Sequence, residues 1–295
     1  MADRLNSDHE KLFTEENLIA AYESILATLA QRNLKATFAF VGAFTLEKSY
    51  FTQAWLSPLS KSAQHRKWLH RLMSDLEKGT EEGWFLPQAL RMVLNSDAKH
   101  EAASHGFTHL PLDTASESFA ELEIAGILDW MNVHDLKIDT FIFPRNQVSR
   151  NFDLSRLGIT GYRDRPAKRG FLGVDSRLFN LLYEFYPFTP SQPLIDCAQP
   201  GMIAIPGDFF LNWRSGLRRY VPVDLTVYRF RHALRHAARE NGIVHLWFHP
   251  HNLLTGSGQI ALFERCVNAL SEEVDAGAII VKTQAEFVSP ILGAG

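Results

Sequence analysis

Ala36-Thr37-Phe38-Ala39-Phe40-Val41, closed by Gly42, is a near-continuous apolar run of strand length, the kind buried on both faces of a parallel sheet. The residues before it follow a different period. From Glu15 to about Asn33, Leu18, Ile19, Tyr22, Ile25, Leu26 and Leu29 recur at the spacing of one amphipathic helix face. Thr14 is placed to cap that helix, Glu15 and Glu16 sit in its first turn where the dipole favours them, and Phe13 with Leu18 has the spacing of a hydrophobic staple. The first unit is therefore a helix followed by a doubly buried strand.

The alternation continues outward. Helical patterns fall near Gln64–Lys78, Leu86–Leu94, from about Ser118 (with Ser118 and Glu121 as a capping box), Val223–Glu240 and Gln259–Asp275. Strands are expected at Lys99–Ser104, Thr140–Phe143, Ile159–Arg163, Met202–Ile205, Ile243–Phe248 and Ala278–Val281. Such a chain is α/β with a parallel sheet or barrel, a choice that periodicity leaves open. An α/β chain normally opens with a strand, yet nothing between Met1 and Leu12 has strand character, so the first strand is expected to be absent. No repeat or linker divides residues 1–295, which read as one domain; Pro187–Pro200, holding four of the 13 prolines, reads as an irregular loop.

Composition narrows the classes. With 295 residues, 46% of them hydrophobic, the chain can bury a sizeable core, which excludes disorder. Lys+Arg 30 against Asp+Glu 33 leaves no basic surplus for neutralising phosphates, so nucleic acid is excluded as a partner. Apolar runs such as Ala36–Phe44 fall short of the about 20 residues of a transmembrane helix, and polar Met1–Lys11 holds no secretory core, which points to the cytoplasm. Cys197 and Cys266 are too few for a disulfide framework and read as buried thiols. What stands out is the 12 histidines.

In parallel α/β folds reactive groups gather at the carboxyl ends of strands, and three segments fit. In Glu101-Ala-Ala-Ser-His105-Gly-Phe-Thr-His109, two imidazoles four apart follow a strand and can converge on one divalent ion if the stretch turns helically, with a carboxylate and water completing the set. Two ordinary loop histidines are the plain alternative. In Thr140-Phe-Ile-Phe-Pro144-Arg145-Asn146, the proline ends a strand and aims Arg145 and Asn146 at the top of the fold, although Arg145 alone reads equally as a surface ion-pair residue. In Gly242-Ile-Val-His245-Leu246-Trp247-Phe-His249-Pro250-His251-Asn252, extended geometry puts His245, Trp247, His249 and His251 on one face, where an imidazole beside an aromatic wall can serve as a general acid. A buried, hydrogen-bonded structural histidine is the alternative there. His9, His65, His70, His100, His134, His232 and His236 read as solvated.

In this order the three segments resemble the polysaccharide deacetylases of the NodB-homology type, which are metal-dependent carbohydrate esterases. Lys35-Ala-Thr-Phe-Ala-Phe-Val-Gly42 is similar to that family's "KATFFVxG" strand, Glu101 to His109 resembles its "EIxxHTxxH" metal motif, and Gly242 to His249 its "GxIxLxH" motif. The resemblance implies a distorted parallel (β/α) barrel, incomplete here at the first strand, and a divalent metal, zinc first, held by His105 and His109. It implies hydrolysis of N-acetyl groups on an amino-sugar polysaccharide or glycan precursor, with His249 protonating the departing amine and Leu246 and Trp247 lining the acetyl pocket. The family's "TFDD" strand, whose aspartates supply the general base and a third metal ligand, is absent; Asp3 and Asp8 are the early aspartates, and neither follows a strand. Ile142 replaces the family arginine of "FRPPYG", and the chain resembles a branch with "FPRN" and "HLWxHPHN" segments, in which Arg145 stands in for that guanidinium and Pro144, Arg145 and Asn146 join the substrate-binding set. Asp113 and Asp164 lie in loops from which a carboxylate can come.

Two other readings accompany this one. A non-catalytic carbohydrate-binding or assembly protein would keep the cleft and stack sugars on Trp213, Trp247 or Tyr220, and a hydrolase of another amide or ester would use the same histidine pair. Metal content separates the first of these from the enzyme.

Overall fold

Five short strands in chain order make one all-parallel sheet: β1 (Thr37–Phe40), β2 (Glu101–Ser104), β3 (Thr140–Ile142), β4 (Gly161–Arg163) and β5 (Ile203–Ile205). The computed structural model describes residues 11–164, 183–185 and 201–292. Strand order that follows chain order, with every pair parallel, is the winding of a (β/α) fold. A further pair, β6 (Phe209–Phe210) and β7 (Leu246–Trp247), is also parallel and forms a separate two-stranded sheet. Among the described residues no ladder joins the two sheets, so a five-stranded parallel sheet and a short parallel ribbon are shown, without closure into the expected barrel.

The opening helix, Glu15–Ala30, starts as its sequence dictates, with the Thr14 side chain accepting from the Asn17 N–H. Leu18, Ile25 and Leu29 are buried, and Tyr22 stacks on Phe38 and Phe40 of β1. The helices Val223–Glu240 and Gln259–Asp275 have the expected bounds and pack on each other. Burial raises the Cys266 thiol to about 12, so it is an inert core group. Among the described residues no helix is long and apolar enough to cross a membrane.

Several expectations change. The pattern near Gln64–Lys78 is two helices, Ala63–Trp68 and His70–Lys78, broken at Leu69, which is buried. The helix expected from Ser118 begins at Glu117 with Ser116 as its cap residue, and Glu121 pairs with Arg156 instead of closing a capping box. Ala278–Val281 forms no strand: Ile280 projects into solvent, and among the described residues no neighbouring strand meets that segment. Ile243–Phe248 contributes only the two residues of β7 to a ladder. His9, Asp3, Asp8, Cys197 and the Pro187–Pro200 loop lie outside the described residues.

At the amino end of the sheet, Glu101 acts as a tie. Its carboxylate accepts the Thr37 hydroxyl at 2.6 Å, the Thr140 hydroxyl, and the Ala285 N–H at 3.0 Å. The start of β1, the start of β3 and the amino end of the helix Gln284–Leu292 are thereby fixed together, leaving the carboxyl ends of the strands for chemistry.

Candidate metal and catalytic site

His105 follows β2 directly, its N–H still bonded to the Phe40 carbonyl at 2.7 Å. Gly106 then takes φ +80 and His109 φ +63, so the four residues after the strand fold back on themselves. A side chain at Gly106 would meet Pro144 at 3.3 Å as well as this strain. The turn brings the two Nε2 atoms to 3.1 Å, with ring centroids 4.7 Å apart. His105 Nδ1 lies 2.7 Å from the Ile142 carbonyl, which can only accept, so Nδ1 carries the proton and Nε2 presents its lone pair. Without a metal, His109 Nε2–H donates to that lone pair. Burial holds His105 down to about 3 and His109 well below its ordinary value, so both imidazoles are neutral at neutral pH, the state in which they bind metal.

Tetrahedral zinc with Zn–N bonds of about 2.0–2.1 Å requires donor nitrogens about 3.3 Å apart, close to the separation found, so the pair fits two corners of such a site. Among the described residues no third histidine, cysteine, aspartate or glutamate joins them, and neither Asp113 nor Asp164 completes the set.

A residue that sequence reasoning passed over holds the turn in shape. Glu123, fully buried on the helix Glu117–Val133, accepts the N–H groups of Phe107 and Thr108 on Oε2 at 2.9 and 3.1 Å and the Thr108 hydroxyl on Oε1. His65 completes the arrangement. Expected in solvent, it is fully buried, stacked on Phe119 at 4.2 Å, with Nε2 3.2 Å from Glu123 and Nδ1 3.0 Å from the Ser62 hydroxyl. His100, also expected in solvent, is buried as well and accepts the Ala36 N–H at 3.1 Å.

The third segment arrives after β7. His249 is held by Asn252, whose Oδ1 accepts its backbone N–H at 2.8 Å and its Nδ1–H at 3.1 Å, which leaves Nε2 as the proton acceptor. Burial and the charge of Arg163 press His249 down to about 4. Its ring lies 6.0 Å from Trp247 and 5.2 Å from His251; the extended geometry expected through His251 ends at His249, and the turn Pro250–Leu254 brings His251 against it. His245 bonds the Pro206 carbonyl at 2.9 Å and is likewise pressed to about 4 by burial and Arg163.

Of the expected substrate-binding residues, Pro144 packs beside Gly106, Arg145 lies over the Trp68 ring at 5.0 Å, and Leu246 packs against the main core. Asn146 accepts from Arg163 at 2.6 Å, and Trp247 has the Arg163 guanidinium over its ring at 4.1 Å. Arg163, at the end of β4, brings a further guanidinium to this end of the fold, and its charge bears on His105, His245 and His249. An isolated arginine at the end of a three-residue strand carried no signal in the sequence.

No protein-family model matches the chain, and no curated protein matches it. Among solved structures it superposes on a "putative polysaccharide deacetylase from Mycobacterium smegmatis", with TM-score 0.51 and 16% identity, over 97% of this chain and 79% of that one. At that identity the likeness is one of fold: an α/β chain wound around a parallel sheet.

Proposed function

We propose that this chain is a divalent-metal-dependent hydrolase that removes N-acetyl groups from an amino-sugar-containing polysaccharide or glycan precursor, with His105 and His109 as ligands and His249 as the proton-transfer group. The observation that carries the reading is the 3.1 Å approach of two neutral imidazoles at the carboxyl end of β2, one of them locked in its tautomer by the Ile142 carbonyl. The likeness in fold to the mycobacterial protein supports the same class. A bound zinc ion would polarise the amide carbonyl and acidify water.

The chain's own groups supply the proton transfers. His249 is neutral at neutral pH, with Nδ1–H committed to Asn252, so its Nε2 accepts a proton from the attacking water and passes it to the departing amine nitrogen. Asn252, fully buried, fixes the ring and its tautomer. Glu123 acts at one remove, by holding the Phe107 and Thr108 amides so that His109 turns toward His105.

Metal analysis and acetate release from N-acetylglucosamine oligomers test the reading. The expected result is one zinc per chain, lost in H105A and H109A, with H249N retaining metal but slowed by about 10²- to 10⁴-fold. A protein that takes up no divalent metal, or an H249N variant as fast as the parent, would overturn it.

A further inference from the structure

We infer that Arg163 is an anion-binding residue, seating a carboxylate at the floor of the histidine site. The inference rests on how the guanidinium is housed. Arg163 is only 9% exposed, yet among the described residues it makes a single hydrogen bond, Nη2 to Asn146, and its buried Nε has no hydrogen-bond partner. One flat face is spoken for by the Trp247 ring at 4.1 Å, which leaves the in-plane edge for a ligand. The backbone opposite is kept bare, since a Cβ on Gly207 would meet Arg163 Cδ at 3.2 Å.

Among the described residues no ion pair with a carboxylate answers this charge, and burial presses the guanidinium down to about 9. The titratable groups that feel it are the imidazoles of His105, His245 and His249, and all three are driven further toward neutrality by it. A buried cation with one neutral partner is costly unless a counter-charge arrives, and a planar carboxylate is the anion that matches the donor fork of arginine. This deepens the function proposed above, because hydrolysis of an N-acetyl group releases a carboxylate within the same site. An acidic sugar ring of the substrate is the second source of the same chemistry.

Calorimetric titration of chelator-treated protein at constant ionic strength separates these sources and needs no turnover. Sodium acetate and sodium glucuronate are the probes, with sodium chloride as the control. Saturable binding of acetate alone assigns the site to the released product, and saturable binding of glucuronate assigns it to the substrate. In either case R163M is expected to weaken binding by about tenfold or more, with R163K intermediate because it keeps the charge but not the fork. R163M should unfold at the parent's temperature or above it, since it keeps the side-chain stem and removes an uncompensated buried charge. The inference is overturned if neither carboxylate binds, if R163M binds as well as the parent, or if R163M unfolds well below the parent, which would mark the guanidinium as a structural tie. Carboxylate binding in a protein that never deacetylates would leave this inference standing and remove only the function above.

Discussion

At the scale of the residue, the site depends most on groups that touch no reacting atom. Glu123 receives two backbone N–H groups, a hydroxyl and an imidazole in a place water does not reach. Replacing it with alanine leaves the Phe107 and Thr108 amides buried without an acceptor, a loss of the kind that costs about 3 kcal/mol. E123A should therefore unfold at a visibly lower urea concentration than the parent and lose metal uptake, even though Glu123 ligates nothing. Unchanged metal uptake in a folded E123A would show that the His105–His109 turn holds its shape unaided. His65 reads as a surface residue in the sequence because its neighbours Gln64, Arg66 and Lys67 are polar; the fold buries it because Glu123 needs a fourth donor.

At the scale of the element, the helix Glu117–Val133 clamps the end of β1 and the histidine turn together. Its Trp130 indole donates to the Thr45 hydroxyl at 2.8 Å, and a Cβ on Gly42 would meet that ring at 3.1 Å. Its Gly126 lies against Phe107, so closely that a Cβ there would stand 2.2 Å from the ring. Alanine at 126 raises helix propensity by about 1 kcal/mol, but it must push Phe107 aside, an overpacking cost of about 1–3 kcal/mol that outweighs the gain. G126A is expected to be less stable than the parent in urea denaturation and to bind metal more weakly, because Phe107 lies between Gly106 and His109 in the turn. A more stable G126A would mean that the helix can shift without disturbing the site.

At the scale of the whole molecule, several partly buried, neutral imidazoles feel the charge of one guanidinium, and this ties stability to pH. His245 and His249 take up protons only near pH 4 in the folded protein and His105 only near pH 3, whereas each does so near 6.5 when unfolded. Between those values the unfolded chain holds more protons, so stability is full above about pH 6.5 and declines as the pH falls toward about 4. Thermal unfolding of chelator-treated protein should show a midpoint that is level from pH 7 to 8 and drops steadily below 6.5, with a shallower drop in H245N. A midpoint independent of pH from 7 to 4 would contradict the burial of these rings.

The order of helices and parallel strands was readable from local pattern, because a doubly buried strand such as Thr37–Phe40 and an amphipathic helix such as Val223–Glu240 carry their periods in adjacent residues. The spacing of His105 and His109 was local too, but it pointed to a helical turn, whereas Gly106 and His109 take positive φ and Glu123 holds the amides between them. The sequence alone could not say that the charge of Arg163 bears on the histidines, or that Glu123 and His65 support the turn between His105 and His109. Those contacts join residues 15 to 58 positions apart, or different strands, and have no sequence period. The sequence by itself set two histidines four apart after a strand; the turn that pairs them, and the charge and hydrogen bonds that tune them, were decided by tertiary packing, because only burial makes such distant groups interact strongly.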